Sequence, residues 1–361
     1  MNRPISKYDA IRVFLNDTIF ISKLFVVFLT TFFFIRLIIR YAPSVGLVDV
    51  PNHRSAHRHV TPRGAGIGMV FGVMASDLLF LNSVVLEHFF SFLAIFLVFI
   101  VGVLDDHRDT TPKIKFYVIF AAVLMLAYDG MSIHSLGQLF GYDLELGWFA
   151  IPFTMFAVAG FTNALNLSDG LDGLAGLLSI IILSTLCIIG YEHHDLFIVS
   201  TSLSFIAAIA AFMWFNWNPA KIFMGDSGSL TLGFVISVLS IKALAYINPI
   251  SVLFIAAIPI LDTLIVMIRR KRNGHSMFAP DKLHIHHILL KFFNGNVPKT
   301  VVLIALLQLG FSIVGIAFSE AAQQRYLLVL FVINAAAFYI LLNGMLMRQN
   351  KFAYYRKQRE K

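Results

Sequence analysis

The sequence predicts an all-α fold, a polytopic helical bundle set in a membrane, and three observations carry that reading. Of its 361 residues, 58% are hydrophobic and only 13% are charged, for a mean hydropathy of +0.80. A soluble domain does not have that composition. Apolar runs of about 20 residues, the length a helix needs to cross the hydrocarbon of a bilayer, recur along the whole chain. The clustered acids Asp105, Asp106, Asp169, Asp172 and Asp226 stand at the ends of these runs, where a membrane meets water.

About eleven spans follow in order. The first, 18–40, follows a polar, mixed N-terminal stretch with no cleavable leader pattern, so it reads as a span. The second and third, 66–86 and 89–104, enclose one acid, Asp77, and the third ends on Asp105-Asp106. The fourth, 114–129, starts beside Lys113 and Lys115. The fifth, 148–166, runs into N-A-L-N-L-S-D-G-L-D-G-L, residues 163–174, from which the sixth, 173–191, departs. The seventh is 196–215, and the eighth, 228–247, begins just after Asp226. The ninth, 250–268, encloses Asp262 and ends in the basic run 269–272; the tenth and eleventh, 300–319 and 326–347, lead to a basic tail. The whole chain, 1–361, reads as one integral membrane domain. A single cysteine, Cys187, excludes a disulfide scaffold and a cysteine-based metal site.

The net charge of +8 is read by sidedness, and no nucleic-acid partner is expected. With the loop 41–65 in the cytoplasm, 22 of the 28 Lys and Arg fall on that side. The other six are Arg3, Lys7, Arg12, Lys23, Lys242 and Arg325. The expected orientation is therefore N-terminus outside and C-terminus cytoplasmic. The polar clusters at 49–64, 105–115, 163–172, 216–229 and 269–291 then share the cytoplasmic face. The opposite loops, such as 191–195 with His193-His194 and 319–325, read as plain and solvated. One decorated face suits an enzyme at one membrane surface. A transporter more often shows mid-membrane sites and internal repeats.

An ionised side chain deep in a bilayer costs at least ~2.5–3.5 kcal/mol, so clustered acids there imply use. Asn163, Asn166, Asp169 and Asp172 recur every three residues, which gathers them on one face if the segment is helical. Gly170 and Gly173 allow close approach, and Ser168 or Asp169 can equally cap the next helix. Asp105-Asp106, with Lys113 and Lys115 close by, suits metal or phosphate chemistry, though adjacent acids also mark a water boundary. K-I-F-M-G-D-S-G-S-L, 221–230, sets Asp226 between glycines ahead of an apolar run. That is a tight turn into a helix start, an anion or metal–phosphate site, or a plain cap. F-A-P-D-K-L-H-I-H-H-I-L, 278–289, packs His284, His286 and His287 beside Asp281 and Lys282. Three histidines suit zinc. Adjacent His286 and His287 cannot point one way from a helix, so binding of a diphosphate or sugar is the preferred reading.

Together these residues resemble the polyprenyl-phosphate N-acetylhexosamine-1-phosphate transferase family. Its members include bacterial undecaprenyl-phosphate GlcNAc-1-phosphate transferases, the phospho-MurNAc-pentapeptide translocase and a eukaryotic dolichyl-phosphate enzyme. The match runs in order from about 46 to 290. It comprises G-L-V-D-V-P-N-H-R-S-A-H, T-P-R-G-A-G, L-D-D, N-A-L-N-L-S-D-G-L-D-G-L, F-M-G-D-S-G-S and S-M-F-A-P-D-K-L-H-I-H-H. H-I-H-H with A-P-D-K looks like the GlcNAc-type bacterial members, and Ala65 stands where many members carry a G-G pair.

The resemblance implies transfer of a sugar-1-phosphate, GlcNAc-1-phosphate first among candidates, from a UDP-N-acetylhexosamine to undecaprenyl phosphate, releasing UMP. The lipid-linked product would initiate a cell-surface polysaccharide. It implies Mg2+, with Mn2+ as a substitute, held by Asp226 and Asn166. It sets Asp172 near the uracil, Asp169 by the diphosphate, and Lys115, His284, His286 and His287 around diphosphate and sugar. Asp105 and Asp106 match an acidic pair near the lipid phosphate; Asn163, Arg63 and Asp281 are expected to bind substrate. Mg2+ takes few protein oxygens and completes its shell with phosphate and water, which agrees with the residues. A phosphate monoester with a second pKa near ~6 is mostly dianionic at neutral pH. A general base is then worth little, so Asp105 and Asp106 are expected to orient rather than abstract. Membrane lipids surround the protein, its expected place is the cell inner membrane, and a homodimer is compatible with the sequence. The alternatives are the muropeptide translocase, a polyprenyl-linked sugar transporter and a zinc hydrolase.

Overall fold

The computed structural model describes residues 18–51, 60–80, 82–108, 110–139, 141–274, 276, 284–320 and 324–359. Each expected span folds as helix, because a backbone in hydrocarbon must satisfy its polar groups within itself. α1 (Thr18–Val45) leads to a two-residue pairing of β1 (Val48–Asp49) with β2 (Thr61–Pro62). Then come α2 (Ala65–Phe80), the short α3 (Asn82–Glu87), α4 (Phe89–His107) and α5 (Pro112–Tyr128). An antiparallel hairpin of β3 (Ser135–Leu139) and β4 (Tyr142–Glu145) precedes α6 (Ala150–Ser168). α7 (Leu174–Glu192), α8 (Leu196–Asn216), α9 (Asp226–Ala243), α10 (Pro249–Ile255) and α11 (Ala257–Arg272) follow. α12 (Ile285–Phe292), α13 (Val297–Ala317) and α14 (Gln324–Arg359) complete the described chain. Loop side chains close several helix starts. Asp195, Asn248 and Asn296 accept the amides of Ile198, Ser251 and Lys299 at 2.9, 2.9 and 3.0 Å, which satisfies donors that the helix itself leaves unpaired.

Seven of these helices are long and apolar enough to cross a membrane, or eight if the bent pair α10–α11 is one span. The shortfall from eleven falls on α2, α5 and α9. α2 has 16 residues and α5 has 17. α9 begins D-S-G-S, and across 227–243 every residue but Lys242 is buried. It packs against α2, α4, α6, α7 and α8. A helix sheathed in protein needs no apolar surface for lipid, so its serines are tolerated.

The ninth expected span is not one rod. α10 and α11 meet at 87° around Ala256. Gln308 of α13 repairs the break: its Oε1 accepts the Ile258 amide at 2.9 Å and its Nε2 donates to the Ile255 carbonyl at 2.7 Å. Beside the bend lies an apolar groove of about 550 Å³ between α6, α9, α10 and α11, lined by Phe153, Phe161, Ala164, Leu253 and Ile260 among others. The far loops are less plain than expected. The β3–β4 hairpin is one addition to the all-α reading; its outer strand is exposed throughout and so lacks the alternation that marks a strand in sequence. His193 stacks on Tyr246 at 4.7 Å, and the Tyr246 hydroxyl donates to Asp195 at 2.9 Å.

One charged pair lies wholly inside the bundle. Lys23 of α1 and Asp77 of α2, 0% and 2% exposed, meet at 2.5 Å as an ion pair without an aligned hydrogen bond. Such a pair adds little net stability, but removing one partner strands a buried charge at a cost of about 3–5 kcal/mol. Lys23→Met is therefore expected to lower the melting temperature of the purified protein sharply. Lys23→Met combined with Asp77→Leu should recover most of the loss. A single variant as stable as the parent would show that the charges do not depend on one another.

Candidate functional site

The site grows from the turn that starts α9. Gly225 adopts φ +74°, and Asp226 opens the helix. Two of the amides that a helix start leaves unpaired are taken by a side chain from α4: Asp106 accepts Asp226 N at 2.8 Å and Ser227 N at 3.0 Å. Asp106 is 2% exposed, with one oxygen on each amide. Its neighbour Asp105 makes different contacts. Asp105 Oδ1 accepts the amide and hydroxyl of Thr110 at 2.8 and 2.5 Å, and Oδ2 accepts Lys115 Nζ at 2.8 Å. Lys115 Nζ also pairs with Asp226 Oδ2, so one ammonium bridges two carboxylates. From α6, Asn166 Nδ2 donates to Asp226 Oδ1 at 3.0 Å and to Ser229 Oγ at 2.8 Å.

Backbone packing holds this turn in place. Ala65 N donates to Phe223 O at 3.2 Å, Gly66 N to Met224 O at 3.0 Å, and Phe223 N to Pro62 O at 2.8 Å. T-P-R-G-A-G thus lies along F-M-G-D. A Cβ on Gly66 would stand 2.0 Å from Gly228 N, and one on Gly102 would stand 2.6 Å from Asp226 O. Ala65 is accommodated fully buried, so the close approach that demands glycine falls at Gly66.

A cavity of about 660 Å³ opens over the turn. Asp49, Arg63, Asp106, Asn166, Asp169, Asp172, Phe223, Asp226 and His287 are among its lining residues. Five carboxylates face one guanidinium there. Burial, and then the charges of Asp226, Asp106 and Asp172, push the Asp169 carboxyl up to about 7. Asp172 Oδ2 accepts Asn218 Nδ2 at 2.8 Å and Ala220 N at 3.0 Å, bracing the loop between α8 and α9. Asn216 ties the same loop to the α6–α7 turn: its Oδ1 accepts Gly173 N and its Nδ2 donates to Ile222 O, both at 2.8 Å.

The expected residues are not all gathered. α6 ends at Ser168, so the three-residue repeat stops being helical before Asp169. Asn166, Asp169 and Asp172 reach the cavity, while Asn163, a turn earlier on α6, is not on its wall. The three histidines lie side by side, ring centroids 5.7 Å apart for His284 and His286 and 4.2 Å for His286 and His287, but meet different partners. His284 Nδ1 meets Asp262 Oδ2 at 2.9 Å, and Ile285 N donates to Asp262 Oδ1 at 2.7 Å, which anchors the start of α12. His286 packs on Gly170, where a Cβ would stand 2.2 Å from its Nε2. Burial, then His287, pushes the His286 imidazole down to about 3. Of the three, only His287 lines the cavity. Asp281 and Lys282 lie outside the described residues, as do 52–59.

Among the described residues no group of three or more His, Cys, Asp or Glu is placed to hold a metal ion. Magnesium, which takes one or two carboxylates and substrate phosphates, still fits. Asp105 and Asp226 aim oxygens at one point, with the Asn166 amide alongside. A cavity this acidic repels a diphosphate unless positive charge is brought beside it. Reading the sequence missed Asp49, Asn216, Asn218, Phe223 and Ser229. Part of the signal was present in F-N-W-N-P, 215–219, two carboxamides and a proline at the end of an apolar run.

Comparison with known proteins adds the wider frame. A model of glycosyl transferase family 4 matches residues 88–244, from α4 through the Asp226 turn to the end of α9. A Bacillus subtilis (strain 168) protein, named a probable undecaprenyl-phosphate N-acetylglucosaminyl 1-phosphate transferase, is 36% identical over 317 residues, 86% of this chain and 88% of that protein. The undecaprenyl-phosphate alpha-N-acetylglucosaminyl 1-phosphate transferase of Yersinia pestis is 35% identical over 75% of this chain and 76% of its own length. Its namesake in Escherichia coli (strain K12) is 32% identical over 92% and 90%.

The packing predicts opposite outcomes for three glycines. Gly66→Ala and Gly102→Ala each force a Cβ into α9 backbone and should destabilise the protein by about 1–3 kcal/mol or more, the scale of overpacking. Around Gly310 nothing lies within 4 Å, so Gly310→Ala should be neutral or stabilising by about 0.5–1 kcal/mol. Thermal melts of the three purified variants decide it; equal melting temperatures would refute the close approach.

Proposed function

The chain belongs to glycosyl transferase family 4, and on that premise we propose that it transfers GlcNAc-1-phosphate from UDP-GlcNAc to undecaprenyl phosphate, releasing UMP. The observation that carries this reading is the meeting of Asp226, Asn166, Asp105 and Lys115 at one helix start, beside a polar cavity and near an apolar groove. An oxygen of the acceptor phosphate attacks the sugar-bearing phosphorus of the donor. The bond from that phosphorus to the bridging oxygen breaks, and UMP leaves with the electron pair. The acceptor is mostly dianionic at neutral pH, given a second pKa near ~6, so no proton has to be removed first.

The work of the protein is then to hold like charges together. Asp226 and Asn166, with Asp105 opposite, would hold Mg2+, or Mn2+ in its place, which supplies charge neutralisation on the diphosphate. Arg63, on the cavity wall, pairs with donor phosphate oxygens, and Asp169 and His287 flank them. Asp172 braces the loop that borders the nucleoside end. Asp105 faces Asp226 across Lys115 on the acceptor side, and Asp106 sets the angle of the turn. The polyprenyl chain lies in the groove beside the α10–α11 bend, whose lining residue Ala164 is two positions before Asn166 on α6. His284 and His286 act through the placement of α12, the first on Asp262 and the second on Gly170.

The protein is multi-pass. We place eleven crossings in it by adding α2, α5 and α9 to the seven long apolar helices and the bent pair. The N-terminus is outside, and the C-terminus and the cavity face the cytoplasm across the inner membrane. The support is the 22 of 28 Lys and Arg that fall on one side.

Two experiments test this. Membranes holding the protein, given undecaprenyl phosphate and a panel of UDP-sugars, should release UMP fastest with UDP-GlcNAc. Asp226→Asn should lower that rate about a hundredfold or more, the scale of losing one electrostatic contact to a transition state. No UMP release with any UDP-sugar would sink the reading. For topology, Cys187 is replaced and single cysteines are introduced. A cysteine in the tail beyond Arg348 should resist an impermeant thiol reagent in intact cells, and one near Arg3 should react; the reverse pattern inverts the assignment.

A further inference from the structure

Lys115 stands where a metal ion shared by Asp105 and Asp226 would stand. Its ammonium lies between Asp105 Oδ2 and Asp226 Oδ2. Neither carboxylate is loose. Thr110 holds the other oxygen of Asp105 through its amide and hydroxyl, and Asn166 holds the other oxygen of Asp226. The two inward oxygens are thus aimed at one point, and an ammonium fills it. Magnesium binds oxygen at about 2.0–2.1 Å, so ammonium and metal cannot share the gap. The lysine is placed to leave. It sits in the first turn of α5 on a flexible four-carbon stem, with 22% of its side chain exposed.

We propose that Lys115 is an exchangeable counter-ion that keeps the metal position closed until the diphosphate of the donor draws it away, which couples metal binding to donor binding. The inference rests on the magnesium reading above. Charge accounting supports it. Two carboxylates and one ammonium sum to −1 in the ligand-free protein. A divalent cation placed directly beside them would raise the local charge to +1 and press two cations together. A nucleoside diphosphate brings about two negative charges, gives the ammonium phosphate oxygens to pair with, and leaves both carboxylates for the metal. When UMP departs with one phosphate, Lys115 returns to Asp105 and Asp226. Lys115 thereby becomes a positioning residue for the metal as well as a partner of the diphosphate.

The test measures binding, not turnover. Equilibrium dialysis of Mn2+ is carried out on the purified full-length protein with and without saturating UDP, for wild type, Lys115→Met and Lys115→Arg. Wild type should bind Mn2+ weakly alone and at least tenfold more tightly with UDP. Lys115→Met should bind Mn2+ at least tenfold more tightly than wild type without UDP, and the gain from UDP should shrink. Lys115→Arg, which keeps the charge, should stay near wild type without UDP. Because Lys115→Met leaves two carboxylates facing each other, its melting temperature should fall without metal and rise with Mn2+ by more than wild type does. Ligand-free Lys115→Met that binds Mn2+ no more tightly than wild type, or that gains no more in melting temperature, overturns the proposal and leaves the metal reading standing. Wild type that binds no Mn2+ even with UDP overturns both.

Discussion

The carboxylate of Asp106 on the first two amides of α9 is the contact on which the rest of the site depends. A helix start buried among other helices has no water to satisfy its amides. Asp106 supplies both acceptors from another helix, so α4 and α9 are tied at the point where Asp226 leaves the backbone. Gly66 and Gly102 then allow α2 and α4 to close on the turn at distances no other side chain permits. Asp226 is therefore held from three sides before any ligand arrives. Such a hold matters for phosphoryl transfer, where the protein contributes position and charge more than covalent chemistry.

The same arrangement creates an electrostatic problem that the fold answers locally. Asp105, Asp106, Asp169, Asp172 and Asp226 are brought into one region, and hydrocarbon on the flanks lowers the effective dielectric. Each carboxylate receives a distinct partner: helix amides for Asp106, Thr110 and Lys115 for Asp105, Asn166 and Lys115 for Asp226, and the loop amide with Asn218 for Asp172. Asp169 is pushed up to about 7, by burial first and then by the charges of Asp226, Asp106 and Asp172. The cavity stays acidic overall, which repels a phosphate unless positive charge is brought beside it.

Much of this was legible in the sequence where the signal was local. Apolar length announced the helices, and G-D-S-G announced a turn into a helix with Asp226 at its head. What could not be read were pairings across the chain. Nothing near Asp106 says that its partner amides lie 120 and 121 residues away. Nothing in H-I-H-H says that His284 is held by Asp262, which in sequence is merely an acid in an apolar run. Spacing of three set Asn163 and Asn166 along one α6 face, but Asn163 is a turn from the cavity wall, while Asp169 and Asp172 reach the wall beyond the end of α6 at Ser168. The eighth expected span, 228–247, does fold as α9, but in a different setting from lipid. Its surroundings are protein, so the composition of its surface reports its neighbours and not the lipid.

The bend between α10 and α11 borders an apolar groove along α6, the helix that carries Asn166. A reaction between a water-soluble donor and a lipid acceptor needs a polar pocket and an apolar track that adjoin. A bundle of straight, tightly packed helices offers no such track. Breaking the ninth apolar run at Ala256 exposes backbone that hydrocarbon cannot satisfy, a cost that would by itself forbid the break. Gln308 removes that cost, because one carboxamide both donates to and accepts from the freed groups. The groove beside the bend then runs from Pro249 to Ala164, two positions before Asn166 on the same helix. A glutamine on α13, remote from the Asp226 turn in sequence, thus permits the bend beside which an apolar groove opens along α6.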